Sequence, residues 1–577
     1  MLQLFMLINF SLLIFSITGF GVYRFAQLIF HKTRKNNSLM LTDGILLTFI
    51  LVWNILQIHT LFLPTKIGFP IYGLILVAIF SILGIKSWYR ALLLKLRTPN
   101  RTKIWAIVLY ALFSVAVYWQ ATCQIDGTDS WLYHLNFLKW VRDYGVVSGL
   151  ANLHSRLGYN SSFHIFATIF DLGRFENKAA HIALPFLAVL SIVRVGDFLS
   201  SSQLQNATNA QRLPILCCLA IALQLASSPT MSSLSTDHAL AFICILIAIE
   251  FCTMPAYSGS RRTNIRIFIL CNLSAIAVTT KLAAFPLPIL IFLFTLVYCR
   301  MQCSKHEPIQ KLFILGVQFL VLPCICLIVH CIASIKLSGW PFFPIPIGDL
   351  HLSFGVRSDL VVSEFESISN WAKYRSSAPP ESFAIWFVPW IKSSLNNNFF
   401  LLNIISLGSI LSIFRLMVKD KTSLSFRQKS WVYFALSGST MFAFWITGAP
   451  DIRFMLGNFC LIAPSSILGF VQVKDKSIIA FSLLIIVAAI MLHSSWPNFK
   501  PFSEPQGIYY IANAPSMKVT EKIINKDDPD HSFSIFVPLN NNICGNSELP
   551  CTPYPSEQLR LRTMHEISDG FEMIKSN

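Results

Sequence analysis

Apolar runs of about 17 to 25 residues alternate with short polar stretches along most of the chain, a rhythm set by the thickness of a bilayer. Fourteen such runs lie near 3–23, 43–63, 68–88, 104–121, 179–199, 212–227, 236–253, 264–280, 282–299, 311–333, 396–417, 430–448, 454–471 and 477–493. The pattern predicts an all-α polytopic membrane protein with about 14 transmembrane helices. The first run is expected to remain in the mature protein, because no basic residue precedes it and no small-residue cleavage pattern follows. One apolar segment, Ser161–Leu172, is only twelve residues long and too short to span.

Basic residues orient the chain. Lys32, Arg34 and Lys35 follow the first run, and Lys86, Arg90, Lys95, Arg97, Arg101 and Lys103 surround the end of the third. Both loops read as cytoplasmic, which leaves the N-terminus outside and the segment after the fourth run outside too. If Ser161–Leu172 crossed, the basic loops at 261–266, 300–311, 415–429 and 474–476 would all face outward, so it is expected to lie as an interfacial helix on the outer surface. The resulting organisation is a four-span segment at 1–121, an external loop with interfacial helices at 122–177 and a membrane core at 178–333. An external Pro- and aromatic-rich loop follows at 334–395, then further spans at 396–493 and an external tail at 494–577. The tail reads as a small soluble α/β appendage, with a helix-like piece (SMKVTEKIIN) opened by Pro515-Ser516 and a strand-like run at Phe533–Val537.

Composition sharpens this picture. The chain is 54% hydrophobic and only 13% charged, against roughly a quarter charged in soluble domains, so a soluble enzyme is excluded. Its net charge of +17 would suggest nucleic acid in a soluble protein. Here the excess falls largely in short cytoplasmic loops, so no nucleic-acid partner is expected. No Walker or dinucleotide glycine loop points to direct nucleotide use, and no Cys/His spacing resembles a zinc site. Twelve of the 14 Cys sit in or beside apolar runs and read as small buried hydrophobes, whereas Cys544 and Cys551 stand in the external tail, where an oxidising compartment favours a disulfide.

Acids are scarce, and two of them, Asp126 and Asp129, stand directly after the fourth run, at headgroup level, where a carboxylate can act as general base between a lipid-borne phosphate and a soluble acceptor. The alternative is that Asp129 caps the amphipathic helix that follows, with Trp131, Leu135, Leu138 and Val141 on one face, expected to lie along the membrane. Asp237 opens a run as a candidate ligand or N-cap, Lys281 sits at an external helix junction as ligand or snorkelling cation, and Arg453 in GAPDIRF is a candidate phosphate clamp or partner of Asp451. In 334–395, aromatic residues read as an interface belt or as a lid with a sugar-binding groove. Asp349, Asp359, Glu364 and Glu366 are candidate second carboxylates there.

The segment DSWLYHLNFLKWVRDYG (129–145), with its Asp-x-x-x-Tyr-His form at Asp129, Tyr133 and His134, resembles the GT-C superfamily of integral-membrane glycosyltransferases. NLHSRLGYNSS (152–162), APDIRF (449–454) and PCTPYP (550–555) resemble landmarks of a bacterial family of polytopic proteins usually grouped with them. The resemblance implies a GT-C-like fold in a bacterial inner membrane. It implies a polyprenyl-phosphate sugar as donor, a glycan, lipid or protein acceptor, and single-displacement inversion with Asp129 as base. Arg453, Lys281, Tyr133, His134 and Asp237 would then hold the substrate. No protein-bound cofactor is expected, and a divalent ion at Asp126-x-x-Asp129 is left open, two carboxylates being a thin site. Two other readings stand beside it: a transporter or flippase of a lipid-linked sugar, using Asp237, Glu250 and Lys281 as a path, and a non-catalytic assembly protein.

Overall fold

The computed structural model describes residues 2–29, 39–96, 101–122, 125, 127–200, 209–255, 260–303, 309–374, 383–395, 425–472, 517–524, 532–539, 542–563 and 566–574. The expected spans at 396–417 and 477–493 lie outside the described residues, as does Asp126. The other twelve apolar runs are helical. Among the described residues seven helices are long and apolar enough to cross a membrane: Gln3–Gln27, Leu41–Thr60, Phe69–Leu96, Ala180–Leu199, Arg261–Thr280, Leu282–Gln302 and Leu312–Ser338. The protein is therefore mostly helical, compatible with a chain that crosses a membrane several times, and carries a small C-terminal sheet region.

Four helices open the chain, α1 (Leu2–Ile29), α2 (Leu41–Thr60), α3 (Phe69–Leu96) and α4 (Arg101–Ala121). α1 lies close to both α2 and α3 because small residues line the contacts: a Cβ on Gly19 would stand 1.9 Å from the carbonyl oxygen of Gly44, and one on Gly84 2.3 Å from that of Ile17. Close backbone approach of this kind is the usual source of helix association in lipid, where apolar burial gives little gain. α3 turns Ile71, Leu74, Ile75, Ile79 and Ile82 outward, as a lipid-facing helix would.

Beyond the long loop after α4, with α5 (Leu135–Asp143), α6 (Leu150–Leu153) and α7 (Ser162–Ala167), come α8 (Ala183–Leu199), α9 (Asn209–Ala226), α10 (Thr236–Cys252) and α11 (Arg261–Thr280). α12 (Pro286–Gln302), α13 (Ile309–Ser338), α14 (Ser358–Tyr374), α15 (Phe383–Leu395), α16 (Phe426–Thr447) and α17 (Leu456–Gln472) complete the described helices. Every residue of α10 from Ala239 to Cys252 is buried, so this helix is the axis of the bundle, enclosed by its neighbours on all sides.

Two expectations for the external loop change. Ser161–Leu172 does not lie on the surface: α7, Thr168 and Phe170 are buried, and Trp53 of α2 stacks on Phe166 at 4.9 Å and donates to Ser162 Oγ at 3.1 Å. A short helix that is apolar all round buries itself in protein. The helix after Asp129 is likewise enclosed, with Leu135, Leu138 and Val141 buried together with Asn136, Phe137, Lys139, Trp140 and Arg142. Its polar side is covered by the tail.

The tail forms two antiparallel pairs, β1 (Val519–Ile524) with β2 (Phe533–Pro538) and β3 (Leu559–Leu561) with β4 (Phe571–Met573). The piece expected as a helix is thus strand β1: VTEKII is β-branched at four of six positions, and a partner strand decides the ambiguity. A disulfide joins Cys544 to Cys551. The tail is built into the loop that carries α5 to α7. Asn136 donates to Cys551 O at 3.3 Å, Gly545 N to Trp131 O at 2.8 Å and Thr552 Oγ1 to Leu153 O at 2.9 Å, while Phe571 N donates to Ser148 O at 3.0 Å and its ring meets Trp140 edge-on.

This docking depends on Gly149, whose φ of +65° favours glycine and whose added Cβ would lie 2.0 Å from Phe571 O. Gly149→Ala is expected to lift β4 off the loop, and limited trypsinolysis at Arg560 and Arg562 should accelerate relative to the parent protein. Unchanged cleavage would show that the tail holds without this contact.

Candidate functional site

Asp129 lies where the chain re-enters a helix, in backbone already helical (φ −65°, ψ −32°), and its side chain makes no cap bond. Its carboxylate reaches outward instead. Arg453 Nη1 donates to Asp129 Oδ2 at 3.0 Å, and Arg156 Nη1 stands 3.8 Å from Oδ1. The three side chains are 31%, 48% and 40% exposed, so the cluster is open to a ligand rather than sealed in the core.

Each arginine is aimed by its own turn. Arg453 sits in the 3-10 turn Ile452–Met455, where Asp451 Oδ1 accepts from Arg453 N at 3.0 Å and Oδ2 lies 3.8 Å from Nε. That turn is pinned by two indoles, Trp445 donating to Asp451 O and Trp390 to Pro450 O, both at 2.8 Å. Partial desolvation opposes its charge, yet the carboxylates of Asp129, then Asp237 and Asp451, hold the Arg453 guanidinium above its ordinary value. Arg156 belongs to the turn Ser155–Tyr159, and its own N–H donates to the capping His154 Nδ1 at 3.2 Å. Its guanidinium lies over the Tyr133 ring at 5.6 Å.

Lys281 caps the end of α11 and pairs with Asp237 in the first turn of α10, while its ammonium lies 3.7 Å from the centre of the Phe454 ring. Arg453 lies over the same ring at 4.9 Å, so Phe454 links the two cations. The N-cap of α10 is Ser235, leaving Asp237 free for this ion pair. Glu250, thirteen residues further along α10 and thus about 20 Å away along its axis, pairs with Arg194 instead. The three groups of the translocation reading therefore do not form one cluster.

Tyr133 is half-buried and meets Tyr159 edge-on at 5.6 Å; the Tyr159 hydroxyl donates to Glu364 of α14. This contact separates Glu364 from the other acids of its loop. Asp349 is engaged by His351 N and Ser358 Oγ, Asp359 pairs with Arg357, and Glu366 is exposed. His134 turns away from the opening and packs against His164 at 4.4 Å. Burial, with His164 next, pushes His134 well below its usual range, and burial pushes His164 and His154 down to about 4, so these imidazoles are neutral at neutral pH. Among the described residues no group of three or more His, Cys, Asp or Glu is placed to hold a metal ion.

The structure thus brings Asp129, Arg453, Lys281, Asp237 and Tyr133 to one partly exposed mouth and sets the buried His134 behind it. Arg156, Tyr159 and Glu364 join them, and the sequence signal for the first two was the motif NLHSRLGYNSS. A family model described as a domain of unknown function (DUF8201) matches residues 1–460. The chain belongs to this family. No curated protein and no solved structure matches it. The DUF8201 match includes every residue of the cluster and ends before the tail.

On the far side of α5, the Lys139 ammonium is buried and donates to Ser547 O at 2.5 Å, and burial, then Arg142, lowers its pKa to about 8. Because the folded value lies below the unfolded one of about 10.4, the unfolded chain binds the extra proton between them and stability rises with pH through that window. Thermal unfolding should show this rise from about pH 8 to 10, and Lys139→Met should flatten it. A parent profile already flat over this range would remove Lys139 as its source.

Proposed function

We propose that this DUF8201 protein is a membrane glycosyltransferase of GT-C type, moving a sugar from a polyprenyl-phosphate carrier to an extracytoplasmic glycan, lipid or protein acceptor. The observation that carries the reading is the convergence of Asp129 and Arg453, 324 residues apart, with Arg156 on the other carboxylate oxygen. In this reading the chain has fourteen spans with the basic loops inside, and the cluster and both termini face the outside of a bacterial inner membrane.

In the free protein two guanidiniums share the Asp129 carboxylate. An arriving donor phosphate offers Arg453 and Arg156 a better bidentate partner, which releases Asp129 to take the proton of the acceptor hydroxyl as it attacks the anomeric carbon. The C–O bond to the carrier phosphate breaks in the same displacement, the configuration inverts, and the arginines stabilise the charge left on the phosphate. Lys281, held by Asp237 and Phe454, lies one ring further along the same mouth.

Purified protein incubated with radiolabelled polyprenyl-phosphate sugar and an envelope acceptor extract tests the reading. Label appearing in acceptor supports it. Movement of intact donor across a proteoliposome without transfer would replace it by a flippase, and neither event by a scaffold.

A further inference from the structure

A second charge cluster lies at the opposite end of the bundle, where α2 and α11 begin and α3, α8 and α10 end. Arg194 of α8 is fully buried and spends its guanidinium on the chain, donating to Asp43 Oδ1 at 2.6 Å, to Thr42 Oγ1 at 2.6 Å and twice to Glu250 Oε1. Lys95 pairs with Asp197. These contacts engage Asp43, Asp197 and Glu250, leaving Glu250 Oε2 without a hydrogen bond.

Arg262 and Arg266 of α11 are left over. Arg266 is 1% exposed and its guanidinium lies over the Phe198 ring at 4.5 Å, but only its Nη1 finds a hydrogen-bond partner, Thr253 Oγ1; Nε and Nη2 have none. Arg262 Nε is also buried without a partner, and its Nη2 faces the thioether of Met40 at 2.6 Å, a weak acceptor. Moving Arg266 onto the free Glu250 Oε2 would satisfy one of these groups and still leave Arg262. Among the described residues of this cluster the four cations Arg194, Arg262, Arg266 and Lys95 meet the three anions Asp43, Asp197 and Glu250, an excess of one positive charge. The segments that join these helix ends, 30–38, 97–100, 201–208 and 256–259, contain no Asp or Glu at all. A desolvated guanidinium without counter-charge costs several kcal/mol, so a counter-ion from outside the chain is favoured.

We propose that Arg262 and Arg266 form a binding site for a phosphate oxyanion, distinct from the external mouth and independent of any transfer activity. Planar guanidinium forks suit phosphate better than they suit a thioether or a lone hydroxyl. The basic loops place this end at the cytoplasmic leaflet, where anionic phospholipid headgroups and free phosphate both supply that chemistry.

The test is thermal unfolding of the purified full chain in nonionic detergent with phosphatidylglycerol, inorganic phosphate, phosphatidylcholine, or chloride at matched ionic strength. A rise in Tm with phosphatidylglycerol alone identifies a lipid headgroup, and one with inorganic phosphate identifies the free ion; either supports the site. Arg262→Gln, at a half-buried position that should still fold, is expected to weaken the response at least tenfold, and Arg266→Gln to abolish it. Equal Tm in chloride and in both phosphate sources, or an undiminished response in Arg262→Gln, overturns the proposal. Arg266→Met gives an independent sign: with a bound anion it destabilises the protein in phosphatidylglycerol, whereas stabilisation there would show an unoccupied, strained charge and sink the site.

Discussion

Asp129→Asn is expected to lower sugar transfer by roughly 10² to 10⁴-fold while leaving the protein folded. Asn keeps the shape of the side chain and an acceptor oxygen for Arg453, but it cannot take a proton from an attacking hydroxyl. Stability should hardly change, because the carboxylate and both its arginines are substantially exposed, and pairs of that kind contribute about 0–1 kcal/mol. Arg453→Lys should act differently: the positive charge remains but the fork is lost, so donor KM rises more than kcat falls. Because Asp129 and Arg453 touch, the double variant should lose less than the product of the single losses. Full transfer by a folded Asp129→Asn protein would end its assignment as base.

What made this cluster partly legible in sequence was sparsity. In a chain with so few acids, a carboxylate just past a run of apolar residues stands out, and so does a lone external arginine between two runs. Their meeting was not legible, since it depends on the turn at Ile452–Met455 being pinned by Trp390 and Trp445 from two other helices. Glu364 could not be ranked among its neighbours, because the selecting feature is a hydroxyl more than 200 residues earlier, that of Tyr159. The helices themselves follow from apolar run length. Where run length is short, context decides: the twelve residues of Ser161–Leu172 carry no sign of whether lipid, water or protein encloses them, and α2, α5 and α11 do. The helix at 135–143 reads as amphipathic because Lys139, Arg142 and Asp143 lie off its apolar face, yet Asn136, Lys139 and Arg142 all meet partners in protein, the first two of them in the tail. A polar face marks where hydrogen bonds are needed and does not say whether water supplies them.

The largest stability loss is expected at the last of those three residues. Arg142 is 2% exposed and its Nη1 donates to Asp171 Oδ2 at 2.7 Å and to Asn177 Oδ1 at 3.1 Å. Nε and Nη2 fork onto Asp143 at 3.0 and 2.8 Å, and Nη2 also reaches Glu176 at 3.1 Å. Asp171 is fully buried, and its other oxygen accepts from Lys178 N and Ala179 N, where the loop turns into α8. Arg142→Met keeps the apolar stem but strands the Asp171 carboxylate, a change that typically costs about 3–5 kcal/mol. The loop between α5 and α8 then loses the clamp that ties Asp129's helix to the bundle. Thermal unfolding should show the drop, and Arg142→Met combined with Asp171→Asn should recover a good part of it, because the neutral amide still accepts from the two backbone N–H groups without a buried charge. If the double variant were no more stable than Arg142→Met alone, the loss would lie in the contacts to Asp143 and Glu176, and the buried Asp171 would not be what holds the loop.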